Sequence, residues 1–111
     1  MTVALPSQPS VRDPDQPLDL TGRRVHFVGV GGCGMSGLAR IAQQSGALCT
    51  GSDLAESPTL AMLRDAGIPA VAEQTAASVP RDADLLVASA AIKPDHPELL
   101  EARRRGIPIL K

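Results

Sequence analysis

The sequence predicts an α/β protein in which helices cover both faces of a parallel sheet. Short apolar runs alternate with segments of helical periodicity along most of the chain, and this alternation is typical of a doubly wound sheet. The first apolar run also leads directly into a cluster of glycines. Hydrophobic residues make up 43% of the 111 residues, which is enough for the core of one domain. Because Phe27 is the only aromatic residue, that core has to be aliphatic.

The first twenty residues differ in composition from the rest of the chain. Four prolines lie among Ser, Gln and Asp residues in this stretch. A segment of this kind buries little apolar surface, so we expect residues 1–20 to form a disordered arm. The arm also lacks the basic start and the apolar region of a signal peptide. The folded domain is expected to span residues 21–111.

Five apolar runs predict the strands. The first contains His26, which we interpret as a core histidine whose ring has hydrogen-bond partners. The fourth contains Leu85-Leu86-Val87, a run typical of a strand buried on both faces. Because helical segments separate the runs, right-handed crossovers are expected to make all the strands parallel. The predicted strands are Val25–Val30, Ala47–Gly51, Ile68–Ala72, Asp84–Ser89 and Ile107–Leu110.

Three segments predict helices, and their ends carry typical residues. Ser57 is followed by Pro58, a pair that suits the capping position and the first helical position. The run Arg103-Arg104-Arg105 places cations where they oppose the negative end of a helix dipole. Residues 73–81 fit either a short helix or a loop. The helices are predicted to begin at Met35, Ser57 and His96 and to end near Gly46, Gly67 and Gly106.

The charge distribution and the cysteine content exclude several function classes. The formal net charge is −1, with both signs scattered along the chain. This balance argues against binding to nucleic acid or to an anionic membrane, which needs a basic excess. No apolar run approaches membrane-spanning length. Cys33 and Cys49 are too few for a disulfide framework and match no zinc motif. We therefore expect a cytoplasmic protein with no membrane or nucleic-acid partner.

A glycine-rich loop, Gly29–Gly37, follows the first predicted strand and opens the first predicted helix. Glycines let the backbone approach a ligand closely, and the N–H groups and positive dipole end of the following helix attract a diphosphate. This context favours a ligand site over a tight turn without a ligand. A nucleotide-binding domain of this kind is Rossmann-like. Its five strands have the order 3-2-1-4-5, with the switch point between the first and the fourth.

Asp53 follows the glycine loop by about twenty residues, at the end of the second predicted strand. In dinucleotide-binding folds an acid at this place accepts hydrogen bonds from ribose hydroxyls. The alternative is an Asp that stabilises a turn. The pattern Gly-x-x-x-x-Gly-Lys-[Ser/Thr] does not occur, so the chain carries no ATP-type phosphate loop. We therefore predict no catalytic residue and no metal site in these residues.

Three blocks of the sequence resemble UDP-N-acetylmuramate–L-alanine ligases of the Mur ligase family. The blocks occur in the family's order, and the likeness extends to about Lys111. The first block is the most specific, because Gly34-Met35-Ser36 departs from the common NAD fingerprint. The three blocks are His26–Ala39, Gly51–Ser57 and Ser89–Glu98.

The resemblance implies a role within a multidomain enzyme. Members of this family join L-alanine to the lactyl carboxylate of UDP-N-acetylmuramate, after ATP has phosphorylated that carboxylate. Their first domain binds UDP, the second holds ATP and magnesium, and the third helps to bind the amino acid. The chain matches only the first domain. The resemblance thus implies UDP-N-acetylmuramate as the ligand, ATP and magnesium as cofactors of the full-length enzyme, the other ligase domains as partners, and no activity for this chain alone.

The family's binding residues carry over at three places. The glycine loop matches the segment that holds the diphosphate, and Asp53 matches the acid beside the uridine. The segment after the fourth strand matches the one that borders the nucleotide at the switch point. The resemblance therefore implies UDP contacts for Gly31, Gly32, Cys33, Gly34, Met35, Ser36, Asp53, Ser89, Ala90, Ala91 and Ile92.

The chain departs from the family pattern at four places. Cys33 stands where relatives usually have Ala, and we interpret it as a small packing residue. Ala90 replaces a frequent Ser, which removes one hydroxyl near the ligand. Glu73-Gln74 replaces a frequent Gly-His, which removes any contact made by that His. His96 replaces a usual Asn, and we interpret it as a helix-start residue and not as a catalytic base.

Other function classes explain parts of the pattern. An NAD-binding domain of an oxidoreductase or a regulatory sensor explains the glycine loop and Asp53, but it leaves Met35-Ser36 and residues 89–92 unexplained. A non-catalytic interaction module does not explain the nucleotide-type loop. Within the ligase class, an enzyme that adds a tripeptide in peptidoglycan recycling is a close relative, and the glycine loop fits the alanine-adding enzyme better.

Overall fold

The computed structural model describes residues 20–111, which form a five-stranded parallel sheet with the order β3-β2-β1-β4-β5. The predicted fold class and strand order are confirmed. The arm expected at residues 1–20 lies outside the described residues except for Leu20, and so it stays a prediction. The strands are β1 Arg24–Val28, β2 Leu48–Ser52, β3 Ala70–Val71, β4 Leu85–Ala88 and β5 Ile109–Leu110.

Three α-helices and one short 3-10 helix connect the strands. The segment 73–81, which fitted either a short helix or a loop, contains the 3-10 helix at Ala76–Ser78, which begins after Thr75. No α-helix therefore lies between β3 and β4. The first helix begins two residues earlier than predicted, because Gly32 already adopts the capping conformation. The helices are α1 Cys33–Gln44, α2 Pro58–Asp65 and α3 Pro97–Arg105.

The helix ends follow the predicted chemistry. The Ser57 hydroxyl accepts a hydrogen bond from the Leu60 N–H at 3.3 Å and caps α2. His96 caps α3, because its Nδ1 accepts from the Glu98 N–H at 3.1 Å. Gly106 ends α3 with φ +73°, a conformation that favours glycine. The interpretation of His96 as a helix-start residue is therefore confirmed.

The two faces of the sheet have separate cores. On the first, called the α1–α2 face, α1 and α2 pack with side chains such as Val25, Phe27 and Leu63. On the second, called the α3 face, α3 packs with a smaller cluster that includes Val28 and Leu86. Fully buried aliphatic side chains of this size each stabilise the fold by about 1.5–3 kcal/mol. The α3 face also holds the buried polar residues His26, Ser52 and Glu98.

No helix within residues 20–111 is long and apolar enough to cross a membrane. The cytoplasmic location stays a prediction from the sequence.

Candidate functional site

The glycine loop leaves β1 at the carboxyl edge of the sheet and is attached there to β2. Gly29 adopts φ +78°, which turns the chain out of the strand. The N–H groups of Gly29 and Val30 both donate to the backbone carbonyl of Ser52, each at 2.9 Å. The start of the loop is therefore fixed to the last residue of β2.

The N-terminus of α1 presents unpaired donors next to this loop. Gly32 is the capping residue and provides no side-chain cap. The N–H groups of Cys33, Gly34 and Met35 have no acceptor within the helix, as expected for the first turn. The first turn contains no acidic residue that would repel an anion. A Cβ added to Gly34 would meet no atom within 4 Å, so the space above these donors is open. This arrangement suits a phosphate or diphosphate group.

Asp53 is hydrogen-bonded to the glycine loop. Its Oδ2 accepts from the Gly31 N–H at 2.6 Å, and its Oδ1 accepts from the Leu54 N–H at 2.7 Å. A Cβ on Gly31 would overlap this carboxylate, so the close contact requires glycine. The N–H of Gly31 is thus already engaged, and the available donors of the loop lie further along, in α1. Each carboxylate oxygen has two lone pairs, so Asp53 retains the capacity to accept from a ligand hydroxyl.

The segment after β4 lies beside the same loop, across the switch point. Ser89, Ala90 and Ala91 are exposed, and the Ile92 N–H donates to the Ser89 carbonyl at 3.1 Å in a turn. Ile92 packs against the core of the α3 face and lies close to Gly29. The structure therefore brings together the glycine loop, Asp53 and residues 89–92, as the sequence predicted, although no ligand contact follows from that placement alone.

Cys33 does not pack in the interior as the sequence suggested. It was predicted to be a small packing residue, but its side chain is exposed at the first position of α1. The reason is geometric, because the inward positions of this helix are occupied by Met35, Ser36 and Ala39. Cys49 is the buried cysteine, and desolvation by burial raises the pKa of its thiol to about 11.

An apolar groove of about 620 Å³ opens beside the N-terminus of α1. Gly32, Gly34 and Ser89 form its polar end, and Phe27 and Val87 belong to its apolar floor. Lys111 also lines the groove, and its Nζ lies 3.5 Å from the Ile92 carbonyl oxygen. Neither the groove nor the position of Lys111 beside it was predicted from the sequence. Val87 was expected to be covered on both faces, but it is only partly buried because α1 and α2 lie toward β1, β2 and β3.

Below the switch point, the α3 face contains a buried carboxylate. The Glu98 side chain is 0% exposed, and its Oε1 lies 3.2 Å from His26 Nε2. The Ser52 hydroxyl donates to the same oxygen at 2.6 Å, and the Ser78 hydroxyl donates to Oε2. His26 is 1% exposed, and its Nδ1 lies 2.8 Å from the Thr50 hydroxyl oxygen. The interpretation of His26 as a core histidine with hydrogen-bond partners is confirmed.

Glu98 is ionised at neutral pH. Desolvation by burial raises its pKa, but the hydrogen bond and charge of His26 and the hydroxyls of Ser52 and Ser78 outweigh burial and lower the pKa below its ordinary value. An ionised carboxylate only accepts hydrogen bonds, so His26 Nε2 carries a proton toward it. The buried position of Glu98 was not predicted from the sequence, because a Glu in the first turn of a helix is usually solvated. The one indication in the sequence is that Glu98 directly precedes Leu99, an apolar residue that is buried in the structure.

Two positions at which the chain departs from the family pattern contact each other. His96 Nε2 lies 3.1 Å from Gln74 Oε1, and Gln74 Nε2 donates to the Ser52 hydroxyl oxygen at 3.3 Å. Gln74 and His96 therefore extend the network around Ser52 toward the surface.

Among residues 20–111 no three His, Cys, Asp or Glu side chains are placed to hold a metal ion. Both cysteines are free. The described residues thus offer a helix N-terminus that suits an anion and, beside it, an apolar groove.

Comparison with known proteins finds one family that matches most of the chain. The family model described as "Mur ligase family, catalytic domain" matches residues 24–111. The UDP-N-acetylmuramate–L-alanine ligase of Sulfurihydrogenibium sp. is 44% identical over 88 residues, which are 79% of this chain and 19% of the relative. The chain therefore spans about a fifth of the length of such relatives.

Two solved structures share the fold. UDP-N-acetylmuramate-alanine ligase MurC from Thermotoga maritima aligns with a TM-score of 0.73 and 36% identity, over 78% of this chain and 20% of that chain. The UDP-N-acetylmuramate:L-alanyl-gamma-D-glutamyl-meso-diaminopimelate ligase from Neisseria meningitides aligns with a TM-score of 0.72 and 27% identity, over 81% and 28%.

Proposed function

Because the chain belongs to the Mur ligase family, we propose that it binds the UDP part of UDP-N-acetylmuramate, within a ligase that adds L-alanine during peptidoglycan biosynthesis. The observation that carries this proposal is the set of unpaired N–H groups at Cys33, Gly34 and Met35, two of which, Gly34 and Met35, line the groove. These donors, with the positive end of the α1 dipole, favour a diphosphate. The relatives are UDP-N-acetylmuramate ligases, which indicates the nucleotide and the muramate.

The proposed binding mode assigns one role to each part of the site. The N–H groups of α1 hold the diphosphate, and Asp53 accepts from a ribose hydroxyl while it keeps its bond to Gly31. Residues 89–92 border the nucleotide on the other side of the switch point. Asp53 acts through hydrogen bonding and not through charge attraction, since the ligand is itself anionic.

An NAD-binding domain is the second candidate, since the same loop and acid serve dinucleotides in other folds. The relatives do not favour it, because those that cover most of the chain at 42–48% identity are alanine-adding ligases. The tripeptide-adding enzyme of Neisseria meningitides shares the fold at lower identity, 27%.

The ligase reaction needs groups that this chain does not carry. ATP and magnesium fit the full-length enzyme, but the 111 residues contain no Gly-Lys-[Ser/Thr] phosphate loop, and residues 20–111 hold no metal cluster. We therefore expect the other ligase domains to provide the phosphoryl-transfer site. The chain alone should form no product from UDP-N-acetylmuramate, L-alanine and ATP in a turnover assay. Product made by the pure chain would contradict this assignment.

Titration calorimetry with UDP and with NAD tests the binding proposal. The wild-type chain should bind UDP in preference to NAD. Gly34→Val should abolish measurable binding, because the added side chain fills the open space above the helix N-terminus. Gly37→Val is the matched control, since Gly37 lies one turn further along α1 and a Cβ there also meets nothing within 4 Å. It imposes the same valine on the helix but should leave UDP binding unchanged. Tighter binding of NAD than of UDP would favour the second candidate.

Asp53→Ala should weaken UDP binding by roughly threefold to tenfold, the usual loss for one hydrogen bond. Asp53→Asn is the companion variant, because the amide oxygen can still accept from Gly31 or from a ribose hydroxyl. If the role is hydrogen bonding, Asp53→Asn should bind more tightly than Asp53→Ala. Wild-type affinity in both variants would remove Asp53 from the site.

A further inference from the structure

A chain of hydrogen bonds leads from a buried carboxylate on α3 to the glycine loop. Glu98 Oε1 accepts from the Ser52 hydroxyl at 2.6 Å. The backbone carbonyl of Ser52 accepts in turn from the N–H groups of Gly29 and Val30, each at 2.9 Å. Ser52 therefore connects the α3 face of the sheet to the first two residues of the loop.

Ser52 also determines where the neighbouring acceptors lie. It pairs with Val28, the last residue of β1, and it precedes Asp53, whose carboxylate holds the Gly31 N–H. A displacement of Ser52 would thus move the acceptors of three successive loop N–H groups together. The N-terminus of α1 follows directly, so its free donors would move with the loop.

Stability alone does not account for a carboxylate at this place. Replacing a buried charged pair by well-packed hydrocarbon is often neutral or stabilising. A carboxylate differs from hydrocarbon in giving directional hydrogen bonds, and here one of them is directed at Ser52. His26 contributes the opposing donor that lets the carboxylate stay ionised in this buried position.

We propose that Glu98, acting through Ser52, is a positioning residue for the anion-binding loop and the N-terminus of α1. The inference rests on the proposed function for the identity of the ligand, UDP. It adds a residue on the opposite face of the sheet, outside the groove, on which nucleotide affinity depends.

The test uses three variants of this chain and one matched control. Ser52→Ala removes the connecting hydroxyl, Glu98→Leu removes the carboxylate at similar volume, and Glu98→Gln keeps an oxygen that can accept from Ser52. The control is Thr50→Val, which removes another hydroxyl from β2. Thr50 bonds to the far nitrogen of His26, at 2.8 Å, and no hydrogen bond joins it to Ser52 or Glu98 in the described network.

Two measurements separate loop positioning from ligand identity. UDP affinity is measured by calorimetry, and amide hydrogen exchange at Gly29 and Val30 is measured by NMR without ligand. Ser52→Ala and Glu98→Leu should weaken UDP binding by roughly threefold to tenfold and speed exchange at both amides. Glu98→Gln should restore part of both. Thr50→Val should change neither, even where it lowers the free energy of unfolding.

The exchange rates and UDP affinities of the variants decide whether Glu98 positions the loop. If Ser52→Ala and Glu98→Leu are folded and keep wild-type exchange at Gly29 and Val30, the inference is overturned. It is also overturned if Thr50→Val reproduces their effects, because the role would then be general stability. If the wild-type chain does not bind UDP, the proposed function fails, and the exchange data alone decide whether Glu98 positions the loop.

Discussion

The two faces of the sheet are built with different chemistry. The α1–α2 face has a core of aliphatic side chains and one phenylalanine, closed by two helices over β1, β2 and β3. The α3 face has a smaller aliphatic cluster, and it buries a carboxylate, an imidazole and a serine hydroxyl next to that cluster. Hydrocarbon packing holds most of the first face together, and the hydrogen bond from Gln43 Nε2 to the Ala66 carbonyl at 2.6 Å joins its two helices. The second face depends on hydrogen bonds whose donors and acceptors all have to be in place.

The difference indicates separate roles for the two faces: apolar packing on the α1–α2 face stabilises the fold, and hydrogen bonds on the α3 face align the residues attached to them. Apolar contacts tolerate small shifts, whereas a buried acceptor loses its partners over a fraction of a hydrogen-bond length. The elements that carry the candidate site, the glycine loop and the end of β2, are attached to the polar network on the α3 face. Substitutions on the two faces should therefore have different signatures.

The largest effect is expected from Glu98→Ala on the α3 face. The variant leaves the His26 ring and the Ser52 hydroxyl buried without their acceptor, and each buried donor left without a partner costs about 1–3 kcal/mol. Urea unfolding followed by circular dichroism measures the loss. Glu101→Ala, three residues further along the same helix, is the control and should lose less, because Glu101 is only partly buried and pairs with Arg104 and Arg105 near the surface. A cost below that of Glu101→Ala would show that the network does not stabilise the α3 face.

Leu60→Ala on the α1–α2 face should cost about 2–5 kcal/mol, because it opens a cavity at a fully buried leucine. Unlike Ser52→Ala, the folded variant should keep its UDP affinity, since Leu60 makes no bond to the loop in the described structure. Leu54→Ala is the control: Leu54 is 82% exposed and its truncation should leave stability nearly unchanged. A folded Leu60→Ala chain with weakened UDP binding would remove the contrast between the faces.

Ser57→Ala is expected to cost about 1 kcal/mol, the usual loss of a helix cap. The hydroxyl accepts from the Leu60 N–H at 3.3 Å, so its removal loosens the start of α2 on the α1–α2 face. Thermal unfolding measures the change. Ser57→Asp keeps a capping oxygen and should recover the loss. If the alanine and aspartate variants unfold at the same temperature, the cap does not contribute to the stability of the fold.

The smallest effect is a difference in acid sensitivity. The pKa of Glu98 in the folded chain lies below its ordinary value of 4.5, so ionised Glu98 stabilises the fold. That contribution is complete above about pH 4.5 and is lost as the pH falls through the lowered folded-state pKa. The free energy of unfolding should therefore decrease below pH 4.5, and Glu98→Gln should show a smaller decrease. Glu56 and Glu101 remain in both proteins, so parallel pH profiles would contradict the role of Glu98.

The sequence predicted the architecture because the alternation of apolar runs and helical segments indicates a parallel sheet with helices on both faces. Alternating strands and helices determine parallel pairing, and the glycine loop locates the switch point. The ends of the edge strands were less well predicted: β3 and β5 have only two residues each, where four or five were expected. An edge strand has one neighbour, and apolar character does not tell where that pairing stops.

The candidate site was predicted in outline but not in its contacts. The sequence brought together the glycine loop, Asp53 and residues 89–92, and the structure places them side by side. It could not show that Asp53 occupies the Gly31 N–H, because that contact joins residues from two separate crossovers. Nor could it show that Glu98 points inward, since hydropathy assigns a charged side chain to solvent. Both the Asp53–Gly31 contact and the buried position of Glu98 depend on contacts between residues that are far apart in the sequence.

Phe27 gives the chain a built-in spectroscopic reporter. Its ring is 2% exposed, lies among the residues that line the groove, and belongs to the strand that leads into the glycine loop. The chain has no Trp, no Tyr and no second Phe, so its aromatic proton spectrum contains, besides the two histidines, one set of ring signals. A molecule that enters the groove changes the surroundings of that ring, and methyl groups stacked on it feel its ring current. Occupancy of the groove can therefore be followed in an unlabelled sample, by one residue whose resonances need no assignment experiment.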